Sequence, residues 1–259
     1  MDDILILGDI HGRNFWRKEN LNGKVVFLGD YLDPYSEEIM MAPELMECND
    51  FYDSENLLKM LEDIVSLKKK NPEDIILLCG NHTLSYIWKN FNAASRTDYC
   101  NWKLYHEFFM DNLDYFQLIH VENNIIFSHA GITQEWAQKV WDALEYPKDG
   151  LSSIMEIAIM LRDTPLKYCS KELINLLGDI SYYRGGLNSS GSCEWADLRE
   201  HVNMIESTTT IVPKGEDRIF QIFGHTQVKT PIITKKWACV DCKKGILLSD
   251  ILNDSKCNL

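Results

Sequence analysis

The sequence predicts an α/β domain, because short apolar runs typical of buried strands alternate with amphipathic helical patterns. Five apolar runs have the length of buried strands: Ile4–Leu7, Val25–Leu28, Ile75–Leu78, Ile125–Phe127 and Ile219–Phe223. Helical periodicity separates several of these runs. The chain has 259 residues, which is enough for one large domain with a sizeable core. We therefore expect a single domain over residues 1–259.

Four segments carry helical signals between or after the predicted strands. Residues 54–70 repeat apolar side chains on one helical face and end in three lysines. Residues 133–145 repeat the same spacing with two tryptophans. Ser153 and Glu156 form a capping box that predicts the start of a third helix. Residues 170–178 predict a short fourth helix that ends at a glycine.

The last part of the chain predicts short strands, and one earlier segment predicts a loop. Three strands are expected at Ile232–Ile233, Trp237–Val240 and Ile246–Leu248, with Lys243–Gly245 as the turn of a hairpin between the last two. Residues 34–53 are acidic and rich in methionine, and they show no clear period. We interpret them as an insertion or a long loop.

The charge of the chain narrows the possible partners. The formal net charge is −13, which disfavours a non-specific nucleic-acid binder, because phosphate backbones are held by clustered Lys and Arg. The apolar runs are only four or five residues long, so no membrane span is expected. A cluster of acidic residues can still hold divalent cations, which would reverse the local charge.

The cysteines and the start of the chain predict a reducing, cytoplasmic setting. The start, Met1–Asp3, is acidic, and the apolar stretch after it is too short for a signal peptide. The eight cysteines are therefore expected to be reduced thiols. Cys239 and Cys242 form a lone C-x-x-C without a second pair or a flanking histidine, and we interpret them as ordinary thiols.

Each of the five predicted strands is followed by Asp, Asn or His, usually beside a glycine. The five motifs are GDIHG at 8–12, GDYLD at 29–33, GNH at 80–82, SHAG at 128–131 and GHT at 224–226. The carboxyl ends of strands in an α/β sheet open onto a shared crevice, so we expect these side chains to gather there. Glycine allows a tight turn and leaves room beside an ion.

The residue types in these motifs predict a site for divalent metal ions. Asp, Asn and His suit ions such as Mn, Fe or Zn, and the absence of cysteine from the motifs disfavours a structural zinc site. Six or seven ligands are too many for one ion that keeps an open position, whereas a pair of ions fits. A single motif of this kind would indicate only a turn or a hydrogen-bonded histidine. The remaining histidines, His106, His120 and His201, are expected to be structural or exposed.

The ordered set of motifs resembles the calcineurin-like metallophosphoesterases, and within them the branch of the serine/threonine protein phosphatases and the bacterial diadenosine tetraphosphatases. The motifs span residues 8–226, although the sequence between them is unlike the family. The resemblance implies a four-layer α/β sandwich, in which two mixed sheets pack together with helices outside and a metal site at the strand ends. Residues 133–200 would form a mostly helical wall or lid over that site.

The resemblance also implies a role for each matching position. The metal ligands would be Asp9, His11, Asp30, Asn81, His129 and His225. Asp30 would bridge two divalent ions. Manganese is the preferred ion, and Fe, Zn and Mg are the alternatives. His82 would lie just outside the ions and protonate the leaving alkoxide or hold the phosphate, and Asp33 would orient it. The nucleophile would be a hydroxide that bridges the two metal ions.

The sequence departs from the family pattern at two places. Pro34 and Tyr35 stand where the protein phosphatases have Arg-Gly, and Thr83 stands where the third motif has Glu or Asp. A phosphate-holding arginine is thus missing, and another should replace its two-pronged fork. The element EWAD at 194–197 resembles a Trp-x-Asp element of the same branch. The candidates for the replacement, in order of preference, are Arg184, Arg199, Arg96 and Arg13.

The sequence therefore predicts a phosphatase that hydrolyses a phosphomonoester, either a phosphoprotein or a small molecule. A dinucleoside polyphosphate hydrolase is the alternative, because the short ending after GHT suits that branch too. A non-catalytic binding protein that keeps the fold should have lost ligand residues, and none is lost. A non-catalytic relative that binds metal without turnover is disfavoured by the retained pair of His82 and Asp33. A nuclease is disfavoured by the acidic charge. Tyr31, Tyr35 and Trp88 could stack on a base, but we expect them to be core residues.

Overall fold

The computed structural model describes residues 3–50, 53–92, 94–144, 153–206 and 219–257. The described strands are β1 (Ile4–Leu7), β2 (Lys24–Phe27), β3 (Ile75–Leu78), β4 (Phe116–Gln117), β5 (His120–Glu122), β6 (Ile125–Phe127), β7 (Phe220–Phe223), β8 (Ile232–Ile233), β9 (Trp237–Cys239) and β10 (Gly245–Leu247). The described α-helices are α1 (Ser36–Met41), α2 (Ser54–Lys70), α3 (Asn81–Ile87), α4 (Trp102–Asp111), α5 (Gln134–Ala143), α6 (Ile154–Arg162), α7 (Lys171–Leu177), α8 (Leu198–Glu206) and α9 (Leu248–Cys257). No helix in these ranges has both the length and the apolar character that crossing a membrane requires.

The strands form two mixed, five-stranded sheets. The first has the order β10-β1-β2-β3-β4, in which β1 to β4 are parallel and β10 is antiparallel to β1. The second has the order β5-β6-β7-β9-β8, with a parallel centre and an antiparallel strand at each edge. The predicted pair of mixed sheets with flanking helices is confirmed.

Alternating side chains on the central strands create separate apolar layers. Ile4, Ile6 and Val26 of the first sheet share one apolar cluster with Phe127 and Ile222 of the second, so the two sheets pack face to face. The intervening residues of the same strands, such as Leu5, Leu7 and Val25, belong to a second apolar cluster. This cluster also contains Ile126 of the second sheet and Leu57 and Leu61 of helix α2. Because both faces of each central strand are buried, these strands read in the sequence as continuous apolar runs.

The predicted hairpin between the last two strands is wrong. β10 pairs with β1 of the first sheet, with Leu247 opposite Leu5, and it does not pair with β9. Both edges of β9 are already occupied, by β7 and by β8, whereas β1 has a free edge that accepts β10. Lys243–Gly245 therefore leads from one sheet to the other. The hairpin of this region lies between β8 and β9.

The predicted helices are present as α2, α5, α6 and α7, and their caps explain where three of them begin. Thr133, Ser153 and Ser170 each accept a hydrogen bond from a backbone N–H three residues later. Residues 145–152, at the end of the predicted 133–145 helix and beyond, lie outside the described residues. The predicted loop at 34–53 contains α1, whose six residues are too few to show a period; residues 51–52 of that segment are not described.

Candidate active site

The strand-end motifs of both sheets meet at one cavity. Its volume is about 360 Å³. The residues that line it are Asp9, His11, Asp30, Tyr35, Asn81, His82, Ser95, Arg96, Ile180, Arg184, Trp195 and His225. His129 is fully buried and contacts four of these side chains, those of Asp9, Asp30, Asn81 and His225. The shared crevice expected from the five motifs is therefore present at the strand carboxyl ends.

The backbone at these strand ends is strained. His11, Asp30, Asp33 and His225 all have left-handed φ angles, of 45°, 47°, 62° and 62°. Side-chain-bearing residues rarely adopt such angles, and they cluster at functional sites. Gly80 leaves the room that the site needs, because a Cβ atom there would lie 2.2 Å from Asp30 Oδ1.

Asp30 lies at the centre of the ligand-type side chains. Its Oδ2 is 3.8 Å from His11 Nε2 and 3.3 Å from His129 Nε2. His11 Nε2 is also 3.8 Å from Asp9 Oδ2. His129 Nε2 also lies 3.1 Å from Asn81 Oδ1 and 3.0 Å from His225 Nδ1. All six positions predicted as ligands are thus brought together.

Backbone carbonyl groups orient two of the imidazole rings. His11 Nδ1 lies 2.8 Å from the carbonyl oxygen of Leu32, and His129 Nδ1 lies 2.9 Å from that of Leu28. A carbonyl oxygen only accepts, so each Nδ1 carries a hydrogen and the lone pair of each neutral ring is on Nε2. In the neutral form of each ring, the Nε2 lone pair therefore points toward carboxylate oxygens.

Facing acceptor atoms of this kind fit a bound cation. The Nε2 atom of His129 faces Asp30 Oδ2 and Asn81 Oδ1, and all three atoms carry lone pairs when the imidazole is neutral. His225 Nε2 is buried without a hydrogen-bond partner among the described residues. Ligand atoms of Asp30, His129 and His225 lie within 4.8 Å of one another, as do those of His11, Asp30 and His82. The donor set suits Mn, Fe or Zn.

The pKa values of the clustered histidines and carboxylates are shifted by burial and by the charges that face them. Burial lowers the pKa of His129, but the carboxylates of Asp30 and Asp9 outweigh it and raise that pKa to about 10. Burial raises the pKa of Asp9 to about 6. Burial also lowers the pKa values of His11 and His225 well below the usual range, so both rings are neutral at neutral pH.

His82 and Asp33 form a close pair beside these groups. His82 Nδ1 lies 2.6 Å from Asp33 Oδ2, and the backbone N–H of His82 donates to Asp30 Oδ1 at 2.9 Å. The hydroxyl of Tyr86 donates to the other oxygen of Asp33 at 2.5 Å, and it accepts from the backbone N–H of Asp98 at 2.8 Å. Both oxygens of Asp33 are therefore engaged, which fixes the orientation of the imidazole.

Of the predicted substrate-binding arginines, Arg184 and Arg96 line the cavity and Arg199 does not. Arg199 pairs with Asp197 at 2.6 Å, and its guanidinium lies over the ring of Tyr183 with its side chain 59% exposed. Arg184 Nε lies 2.9 Å from Asp197 Oδ2, and its Nη2 donates to Thr226 at 2.5 Å. The EWAD element thus holds both arginines through its aspartate.

Arg13, the last of the arginine candidates, has a structural position. Its guanidinium is bound to both carboxylate oxygens of Glu38, at 2.6 and 3.1 Å, and it donates to the backbone carbonyl of Asp9 at 3.1 Å. The residue is almost fully buried. These contacts join α1 to the first motif and leave Arg13 away from the cavity lining.

Several residues at or near the site were given no role in it from the sequence. Tyr35 lines the cavity, although it was expected to be a core residue, whereas Tyr31 is fully buried as expected. Glu194 is buried near the site, and burial raises its pKa to about 8. Asp241 is buried beside Gly8, and neither of its oxygens has a partner among the described residues. All three residues lie outside the glycine-flanked strand ends, although Glu194 belongs to the EWAD element and Tyr35 follows the second motif closely.

Comparisons with solved structures report similar folds. A cold-active protein-tyrosine phosphatase of a psychrophilic Shewanella species matches with a TM-score of 0.54 and 15% identity, over 93% of this chain and 71% of that one. A structure of a cold-active protein tyrosine phosphatase at 1.1 Å matches with a TM-score of 0.55 and 16% identity, over 95% of this chain and 73% of that one. At such low identity these matches show the fold alone.

Comparisons with sequences give the family. No curated protein sequence matches the chain. The profile described as calcineurin-like phosphoesterase matches residues 3–228, which include all five strand-end motifs. The matched range covers both sheets except β8, β9 and β10. The chain therefore belongs to the calcineurin-like phosphoesterase family, and it is a metal-dependent hydrolase of phosphate esters.

Proposed function

We propose that this protein hydrolyses a phosphomonoester, carried by a phosphoprotein or a small molecule, in the cavity at the strand ends. The observation that supports the proposal most strongly is the gathering of metal-ligand side chains around Asp30, next to the 2.6 Å pair of His82 and Asp33. Two divalent ions, manganese by preference, would be held by Asp9, His11, Asp30, Asn81, His129 and His225. When bound, such ions supply positive charge for the phosphate oxygens and lower the pKa of water.

His82 is proposed as the group that hands a proton to the leaving oxygen. Asp33 accepts a hydrogen bond from Nδ1–H of His82, so the proton for the leaving group is the one on Nε2 of His82. The carboxylate stabilises the charged ring before transfer and keeps it in one orientation. Tyr86 in turn holds Asp33 from behind. This role requires a position on the cavity wall, which His82 has.

Arg184 and Arg96 are proposed to bind phosphate oxygens, since both line the cavity. Arg199 is assigned no phosphate contact. Residues 133–200 are proposed as a wall of the site within a single domain, and Ile180, Arg184 and Trp195 from that segment support it by lining the cavity. The alternative substrate, a dinucleoside polyphosphate, is compared with the monoester in the same assay.

The test is hydrolysis of p-nitrophenyl phosphate, bis(p-nitrophenyl) phosphate and diadenosine tetraphosphate by metal-stripped protein resupplied with manganese. We expect the monoester to be preferred and His82→Asn to lower kcat by roughly a hundredfold to ten-thousandfold. His120→Asn is the control, because His120 lies on the edge strand β5 and contacts Glu122. A preference for the dinucleotide or the diester would contradict the proposed substrate class. No turnover of any ester by manganese-loaded protein would contradict the proposed function.

A further inference from the structure

The cavity wall contains an arginine whose charge has no carboxylate partner among the described residues. Five of the arginines whose structure is described have an Nε, Nη1 or Nη2 atom within 2.9 Å of a carboxylate oxygen: Arg13, Arg17, Arg162, Arg184 and Arg199. Arg96 has no such carboxylate in the described part of the chain, although the net charge of the protein is −13. In so acidic a chain, an unpaired arginine that lines the cavity is available to an anionic ligand.

The guanidinium of Arg96 is held in place but keeps one nitrogen unused. Its Nε donates to the backbone carbonyl of Asp33 at 3.2 Å, and its Nη1 donates to the hydroxyl of Ser95 at 3.0 Å. Its Nη2 is buried and has no hydrogen-bond partner among the described residues. Buried donors normally have a partner, and leaving one unpaired is unfavourable. The guanidinium therefore keeps an unfilled hydrogen-bonding position beside the cavity that Arg96 lines.

The aromatic ring of Tyr35 sets the position of this guanidinium. Arg96 Cζ lies 3.6 Å from the centroid of the Tyr35 ring, which is the distance of direct stacking. The same ring meets the imidazole of His11 edge-on, with 5.2 Å between centroids. Tyr35 therefore connects Arg96 to a proposed metal ligand, on the side of the cavity where His82 also lies.

The backbone of Arg96 is strained, as it is at the strand-end motifs. Its φ angle is 64°, in the left-handed region that residues with a long side chain rarely adopt. Such strain persists only where surrounding contacts hold it, and it is concentrated at functional sites. Here the holding contacts are the Tyr35 stack and the Asp33 carbonyl. The arginine is thus fixed before any ligand binds.

Arg184 also lines the cavity, but its charge is already partly neutralised. Its Nε lies 2.9 Å from Asp197, and its Nη2 contacts Thr226 and the backbone carbonyl of His225. Arg96 is therefore the stronger candidate for the main phosphate contact, which reverses the order of preference drawn from the sequence.

From these contacts we infer that Tyr35 and Arg96 form a clamp for a non-bridging oxygen of a terminal phosphoryl group, and that the ring of Tyr35 is the positioning element. This inference rests on the proposed function, because it assumes that the phosphoryl group enters this cavity. A monoester dianion carries more negative charge on its non-bridging oxygens than a diester does. The clamp therefore favours phosphomonoesters over phosphodiesters.

The test measures binding of inorganic phosphate to the manganese-loaded protein by isothermal titration calorimetry. We expect Arg96→Gln to raise the Kd for phosphate by about tenfold to a hundredfold, since it removes a charge-assisted hydrogen bond. Tyr35→Leu should raise the Kd by about threefold to thirtyfold, whereas Tyr35→Phe, which keeps the ring, should stay within about twofold of wild type. Arg162→Gln is the control, because Arg162 is exposed on α6 and pairs with Asp163. Manganese content and the melting temperature check that each variant is folded and loaded.

A second measurement compares kcat/KM for p-nitrophenyl phosphate and its bis ester. We expect Arg96→Gln to lower the value for the monoester at least about tenfold more than for the diester. Unchanged phosphate affinity in Arg96→Gln would overturn the clamp, as would equal losses on both esters. Equal Kd values for Tyr35→Leu and wild type would overturn the role of the ring. Phosphate binding that depends on Arg96 in a protein without turnover would support the clamp and contradict the proposed function alone.

Discussion

At the scale of single residues, the site depends on contacts that hold a few polar side chains in fixed orientations. His82 is oriented by Asp33, and Asp33 by Tyr86, whose hydroxyl is fixed by the backbone of Asp98. Every member of this chain of contacts is buried. Because burial raises the pKa of Asp33, its charge is maintained by these hydrogen bonds and by the imidazole. The orientation of His82 is therefore sensitive to a residue that does not line the cavity.

Replacement of Tyr86 by Phe should slow the hydrolysis of esters with poor leaving groups more than that of esters with good ones. The change removes one hydrogen bond from Asp33, and a less firmly held His82 matters most when the leaving oxygen needs a proton. We expect kcat/KM to fall about threefold to tenfold for phenyl phosphate and less than about threefold for p-nitrophenyl phosphate. Tyr105→Phe is a matched control, because the buried Tyr105 hydroxyl has no partner among the described residues. Equal losses for both esters would assign Tyr86 a purely structural role.

The sequence located the residues of the motifs but not those that support them. Asp30 and His129 are recognisable because each follows an apolar run and lies near a glycine, and the fold then brings such strand ends together. Tyr86 and Arg96 have no comparable signal. Tyr86 acts through helix α3, which was not predicted, and Arg96 acts through a stack on Tyr35 that no local pattern encodes. Contacts between segments distant in the chain are fixed by tertiary packing.

At the scale of secondary-structure elements, each motif is the turn that ends a parallel strand. The strands β1, β2 and β3 lie side by side, so the motifs that follow them are neighbours at one edge of the sheet. Helix α3 begins at Asn81 and follows β3 after only two residues. This short connection puts the backbone N–H of His82 on Asp30. Gly80 lies in this connection, directly against the side chains of Asp30 and His129.

Replacement of Gly80 by Ala should damage the site without unfolding the domain. An added Cβ would lie 2.2 Å from Asp30 Oδ1 and 2.7 Å from His129 Cε1, so both side chains would have to move. We expect manganese affinity to fall by roughly tenfold to a hundredfold, as measured by equilibrium dialysis. Gly23→Ala is the control, since a Cβ at Gly23 meets nothing within 4 Å, although its φ of 93° carries some strain. Unchanged manganese affinity in Gly80→Ala would show that the site tolerates this shift.

The strands of the core were easier to predict than their partners. A strand buried on both faces gives a continuous apolar run, so β1 and β3 were found with their exact bounds. The pairing of β10 with β1 was missed, because the short segment after Lys243–Gly245 carries no signal of which sheet it joins. Helix α4 was also missed. Only two of its side chains, Tyr105 and Phe109, are buried, and tertiary contacts bury them.

At the scale of the whole molecule, two sheets are packed so that motifs of both contribute to one site. Asp9, Asp30 and Asn81 come from the first sheet, whereas His129 and His225 come from the second. Ion binding would therefore link the two halves of the sandwich. The acidic charge of the chain fits the same account, because uncompensated carboxylates at the site raise its affinity for cations.

The most direct test of this account counts the ions. Protein stripped of metal and then dialysed against manganese should contain two ions per chain by plasma mass spectrometry, and turnover of p-nitrophenyl phosphate should appear only when they are bound. Asp30→Asn should lose at least one ion and nearly all turnover, because Asp30 lies between both groups of ligand atoms. Asp114→Asn, an exposed carboxylate paired with Lys167, should retain both. Full turnover by metal-stripped protein, or two retained ions and normal turnover in Asp30→Asn, would contradict the two-ion site.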